Sequence, residues 1–382
     1  MRILFIICFF IIISCGRKEE EKTRSNLYPI DPNGQFLFQW PTGVSIEEVI
    51  YLESLDSSLI SRVEKIWISH PKLSKIYILD RRLKKIFVFN SNGEILSIFD
   101  KNGSGPGEYL EIRDVFLDFQ DEEIHILDNK SIKIYDLFTF EYLGIKDLKS
   151  IPGDSNFTRF IKIQNVYYLW TNIPFFQRPN LNFSKEKQQF HLVRLEDNKI
   201  DFFVPYEYGV LNEIRFYPSS TKDEYIISPL IGKYDIKKVS ETGVLPVYEF
   251  PFTSKEVPEN LLKEMFYLED QFLVSDYFKI LTNFRESNRF LYFNFIGSEA
   301  KVFRGLFDKE KLEFTSIGRS VEFIPEIVYA DADFFYSLIS PDVLLHLIKI
   351  KRIDEKNTLL RTIDFQRIKS DDNPIVIKFS IK

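Results

Sequence analysis

The chain has 382 residues, a formal net charge of −6 and 45% hydrophobic residues, among them 38 Phe and 19 Tyr. That apolar content supplies a core and the aromatic bias favours strands, while 15 Gly and 17 Pro are too few for a fibrous or low-complexity chain. The acidic balance argues against nucleic acid as a partner, because phosphate binding wants a basic face.

The first element is a leader. One cation, Arg2, precedes an apolar run from Ile3 to Ile13, which is too short to cross a bilayer as a helix and reads as a secretory signal. Its ending, Ile12-Ile13-Ser14-Cys15, resembles a bacterial lipobox. The resemblance implies cleavage of residues 1–14 and lipid on Cys15, with several acyl chains holding the protein on a membrane. The charged stretch Gly16 to Lys22 is similar to a signal that sends some lipoproteins to the cell surface; the other reading is a solvated spacer. The other reading of the leader is an ordinary signal with an incidental cysteine; under the lipobox reading Cys8 leaves with the leader and Cys15 carries lipid, so no thiol would remain for a disulfide or a thiolate metal site. Residues 15–43 are expected to be a flexible lipidated tether and entry loop, and residues 44–382 a single folded unit.

Val44 to Glu53 is a strand candidate with no partner nearby. Ile66 to Ser69 then opens a set of alternating strands that continues with Ile76 to Asp80, Lys85 to Phe89 and Ile95 to Phe99. Ile76-Tyr77-Ile78-Leu79-Asp80 returns 48 residues later as Ile124-His125-Ile126-Leu127-Asp128, again followed by two strands and preceded by one, Val115 to Asp118. Between the copies lies Gly103-Ser104-Gly105-Pro106-Gly107-Glu108-Tyr109. Repetition of short antiparallel strands at this period is the signature of propeller blades.

A third set runs through Thr158 to Ile163, Val166 to Trp170, Gln189 to Leu195 and Ile200 to Val204, interrupted by a long insertion from Thr171 to Lys187. The fourth is Glu213 to Tyr217, Glu224 to Ser228, Tyr234 to Val239 and Val247 to Phe250. A short helix is expected near 258–269. Tyr277 to Asn283, Phe290 to Phe295 and Lys301 to Phe303 give most of a fifth sheet. Val321 to Pro325, Ile327 to Ala330 and Phe334 to Ile339 give part of a sixth. A second short helix is expected near 341–350, with Pro341 in its first turn. The chain ends on another unpartnered strand, Pro374 to Ile381. Ring closure needs one such strand at each end, both joining the sheet of Phe334 to Ile339 so that no long edge is left bare.

These features resemble the bacterial six-bladed β-propeller lipoproteins, which are distantly like NHL-repeat propellers. The resemblance rests on Ile50-Tyr51-Leu52-Glu53, Ile76 to Asp80, Val88-Phe89-Asn90 leading to Gly93, the glycine-proline joint and the closing Asp372-Asn373-Pro374. It implies an all-β fold of six four-stranded antiparallel blades and an envelope-anchored binding or scaffold protein, on the outer membrane, facing either the periplasm or the cell exterior. The expected partners are the membrane, through Cys15, and a peptide, glycan or protein ligand; no cofactor, metal or catalytic residue is assigned. The alternatives are a metal-dependent propeller hydrolase or lyase and a structural subunit of an outer-membrane complex.

The motifs are mostly structural. The glycines 103, 105 and 107 lack the following helix and Lys of a phosphate loop and are better read as a joint between blades. Glu108 and Tyr109 either brace that joint or face the channel mouth. Asp80 and Asp128 end equivalent strands, where a short carboxylate accepts backbone N–H groups. His70, His125, His191 and His346 are scattered without metal-ligand spacing. In the long third-blade insertion, Phe175, Phe176 and Arg178 are binding candidates, because aromatic and Arg side chains anchor partners; the alternative is that both rings tuck onto their own blade.

Overall fold

Strand-period alternation becomes six sheets in the computed structural model, which describes residues 26–33, 36–69, 74–149, 151, 156–171, 190–197, 199–205, 215–264, 275–297, 301–353 and 357–382. Cys15, Phe175, Phe176 and Arg178 lie outside the described residues. Each sheet contains a blade of four antiparallel strands, in chain order in blades I to V. Blade I comprises Lys65–Ile68, Lys75–Asp80, Lys85–Asn90 and Ile95–Phe99; blade II comprises Asp114–Asp118, Glu123–Asp128, Ser131–Asp136 and Tyr142–Asp147. Blade III runs from Phe157–Ile163 through Val166–Thr171 and Phe190–Glu196 to Lys199–Pro205. Blade IV runs from Phe216–Pro218 through Tyr225–Ile227 and Asp235–Ser240 to Gly243–Glu249. Blade V holds Ile280–Glu286, Phe290–Ile296, Val302–Asp308 and Glu313–Ser320.

Blade VI closes the ring. Its order is Glu326–Ala330, Phe335–Ile339, Ile375–Ile381 and Val44–Tyr51, so the C-terminal strand pairs on one side with Phe335–Ile339 and on the other with the strand that opens the propeller. The register runs from Ile375 opposite Tyr51 to Ile381 opposite Val44. The expected shared sheet is therefore present. Asn373 fastens the seam further, donating to the Glu53 and Ser58 carbonyls at 2.7 and 2.9 Å and accepting from the Ile60 N–H at 2.8 Å.

The core is a ring of layers between blades. Tyr77, Leu79 and Val88 of blade I pack with Ile124, Ile126 and Tyr135 of blade II. Between blades IV and V the layer is mostly aromatic, with Phe252 and Phe278 stacked at 4.3 Å between ring centroids. Stacking two sheets face to face buries both sides of a middle strand, which is why Ile76–Leu79 and Ile124–Leu127 are buried without a break. At the second seam the layer carries charge: Lys162 of blade III meets Asp118 and Asp121 of blade II at 2.8 and 2.5 Å.

The glycine-proline stretch is the joint between blades I and II. Gly107 takes φ +75°, and a side chain there would sit 2.9 Å from Tyr142. The Gly105 N–H donates to the Glu108 carboxylate at 2.7 Å, and the fully buried Tyr109 donates from its hydroxyl to the Lys84 carbonyl at 2.7 Å. Asp80 ends its strand as expected of a turn carboxylate, accepting from the backbone of Ser61, Arg62 and Leu83.

Two expectations need correction. The entry stretch is not a free tether from residue 26 onward: Asn26–Leu27 adds a parallel strand to the outer edge of blade IV, and Leu37–Phe38 does the same for blade V. Gly318, at φ +130°, makes room for this crossing, since a Cβ there would lie 2.2 Å from the Phe36 backbone. Val321 to Pro325 is not a strand; Phe323 and Ile324 pack against the blade VI insertion and core without pairing, while Val321 is exposed. The outer strand of blade V is instead Glu313–Ser320. The first helix is described over Glu259–Glu264 and the second over Pro341–Lys349, where Leu344 is buried.

Candidate functional site

The innermost strands of the six blades surround a channel, and a cavity of about 720 Å³ opens along it. Its lining comes from all six blades and from the segment 340–374 that blade VI inserts between its second and third strands. Lys65, Asp114 and Glu326 each begin an inner strand, Arg159 is third in its own, and Arg215 immediately precedes one; these charges therefore gather toward one end of the channel. Between the inner strands, Phe116, Phe160, Tyr225 and Tyr329 supply an aromatic wall, with Phe116 lying 6.1 Å from Tyr225 and 6.3 Å from Phe160.

The charged groups form a connected set. Glu64 of blade I lies 3.1 Å from Arg159 of blade III, 3.9 Å from Arg81 and 4.0 Å from Arg215 of blade IV. Arg159 is itself 2% exposed and also donates to the Arg113 and Thr158 carbonyls. A buried guanidinium persists only where its donors are met, and these contacts tie three blades together across the channel. Lys65 pairs with Asp114 at 2.5 Å, yet burial outweighs that attraction and holds its ammonium below the usual lysine range, with Arg159 and Arg215 adding repulsion. Burial likewise lowers the Arg285 pKa and raises those of Tyr225 and Tyr329. Cations thus converge where desolvation already disfavours charge, an arrangement typical of binding sites.

Arg285 differs from the others. Its guanidinium lies over the Tyr217 ring at 5.0 Å and donates to the Phe284 carbonyl at 2.7 Å. Among the described residues it forms no ion pair; Glu326 acts on it from beyond that distance.

A family model for a domain of unknown function, DUF4934, matches residues 44–380. The chain belongs to the DUF4934 family. The matched stretch begins at the first residue of the ring-closing strand and ends within its C-terminal partner, so this DUF4934 domain is the whole propeller. Comparison with curated proteins gives no match. Among solved structures, a Bacteroides fragilis protein inferred to be exported is similar at a TM-score of 0.71 and 19% identity, covering 94% of this chain and 100% of its own. A member of the DUF4221 family from Bacteroides vulgatus is similar at a TM-score of 0.57 and 11% identity, covering 89% and 98%. At these identities the likeness is one of fold, shared by the DUF4934 chain and both neighbours.

Of the binding candidates read from sequence, Glu108 and Tyr109 sit at the joint between blades I and II, and neither lines the cavity. The lining residues Arg159, Arg215 and Arg285 give no sequence signal, because each is a single cation in or beside a different strand. His125 is buried at the seam of blades II and III, with Nδ1 3.2 Å from the Tyr167 hydroxyl and Nε2 2.8 Å from Glu123. His191 stacks on Trp170 at 4.8 Å. Among the described residues, no group of three or more His, Cys, Asp or Glu is placed to hold a metal ion, and no helix is long and apolar enough to cross a membrane.

Proposed function

We propose that this DUF4934 chain is an exported, envelope-anchored binding propeller whose ligand enters the channel end where Glu64, Arg159 and Arg215 meet. The observation that carries this reading is the cavity itself, with a charged mouth and an aromatic wall drawn from all six blades. Ligand pockets characteristically combine apolar walls with a few converging polar groups, and a closed ring holds both rigidly. Export is supported by the secretory pattern of the leader, and the export inferred for the Bacteroides fragilis protein of the same fold agrees with it. A lipid on Cys15 supplies the anchor, and the recognised partner is a peptide, glycan or protein segment.

The test is a peptide and glycan array probed with wild-type protein and with Arg215→Glu, which reverses one charge at the mouth while leaving the blade layers untouched. Ligands captured by the wild type should be lost by the variant. Retention of every captured ligand would move the binding site elsewhere on the propeller.

A further inference from the structure

The acids of the cavity are gathered on one side. Beyond Glu64, which Arg159 neutralises, every carboxylate in its lining belongs to blade VI or its insertion: Glu326, Asp342, Asp371 and Asp372. Of the lining cations, Arg62 and Lys65 belong to blade I, where Asp114 pairs with Lys65, and Arg159, Arg215 and Arg285 belong to blades III, IV and V. In a closed ring of six, blade III stands opposite blade VI and blade V beside it, so Arg159 faces the acids across the axis while Arg285 is flanked by Glu326. The two sides are also open to new partners. Among the described residues Arg285 forms no ion pair, and neither do Glu326, Asp342 or Asp371.

We propose that the channel mouth binds a short peptide-like zwitterion, its carboxylate beside Arg285 and Arg215 and its ammonium against the aspartates of the blade VI insertion. This rests on the reading of the channel as the binding site. A polyanion fits poorly, because the acids of blade VI would repel its second charge. A guanidinium presents a planar fork that matches a carboxylate, and Arg285 already lies over the Tyr217 ring, which limits the freedom it loses on binding. Phe116, Phe160, Tyr225 and Tyr329 line the space between the two poles and suit the apolar side chains of a peptide.

The probes are tri-alanine with free termini, its C-terminal amide, its N-acetyl form and digalacturonate, measured by titration calorimetry against the full folded chain. Removing one charge-assisted hydrogen bond from a desolvated site raises Kd roughly tenfold or more, so amidation and acetylation should each weaken tri-alanine by at least about tenfold. Arg285→Gln should erase the difference between free acid and amide. Asp371→Asn with Asp372→Asn should erase the difference between free and acetylated amine, and because Asp371 is exposed this pair remains informative if Arg285→Gln does not fold. Equal binding of free and blocked peptides, no binding of tri-alanine, or binding of digalacturonate in its place would each overturn the proposal. Array ligands lost in Arg215→Glu would then still leave the channel as the binding site, so the two readings fail separately.

Discussion

His125 shows how one residue records the physics of a seam. Its imidazole is fully buried between blades II and III, and burial, with Lys162 nearby, lowers its pKa from 6.5 to about 4. The facing groups are Tyr167, Glu123, Asp118, Asp121 and Lys162. Burial works against the charge of Lys162, but hydrogen bonds to Asp118 and Asp121 outweigh it and raise the lysine pKa. Burial is the main reason the neighbouring imidazole stays neutral, and that fixed cation adds to it. In the unfolded chain His125 binds its proton near the ordinary histidine pKa, so stability contributed by the neutral form is complete above pH 6.5 and falls as the pH drops toward 4. At ~1.36 kcal/mol per pKa unit the loss is at most about 3 kcal/mol. Thermal melts at pH 7.5, 6 and 5 should show a falling midpoint in wild type and a flatter profile in His125→Leu. Parallel profiles would assign the pH dependence to other groups.

At the scale of the element, the strands easiest to read are those buried on both faces. Ile76–Asp80 carries an apolar run, interrupted in Ile124–Asp128 only by His125, and each ends on a turn carboxylate, so both the repeat and its hairpins are visible. Glu313–Ser320 is not visible, because a half-exposed outer strand containing Thr315, Ser316 and Gly318 has little apolar alternation to detect. Val321 to Pro325 misleads for the converse reason: apolar spacing marks burial, and burial there comes without pairing. The closing strand Ile375–Ile381 bonds to a neighbour on each side, unlike the two-residue additions at Asn26–Leu27 and Leu37–Phe38. Deleting residues 375–382 bares two strand edges at once and should abolish cooperative thermal unfolding and promote aggregation. A truncated chain that melts sharply near the wild-type midpoint would show that the ring holds without its clasp.

For the whole molecule, the fold is legible because each blade repeats one local pattern, whereas the channel is not, because its charged lining is assembled from single residues such as Lys65, Arg159, Arg215 and Arg285 that only ring closure brings together. The proposed attachment to a membrane is likewise tested on the full chain. Metabolic palmitate labelling should mark wild type and be lost in Cys15→Ala, with the variant released from the membrane fraction; equal labelling of both would remove the anchor.

The route of the N-terminal segment along the rim has a mechanical corollary. A pull applied upstream of Asn26 meets the two-residue pairing on blade IV first, then the Ile30 bridge to Phe252, then Leu37–Phe38 on blade V, and only afterwards the long clasp beginning at Val44. Short parallel pairings in series give way one after another, so they act as shock absorbers that yield under shear before the load reaches the strand on which the integrity of the wheel depends.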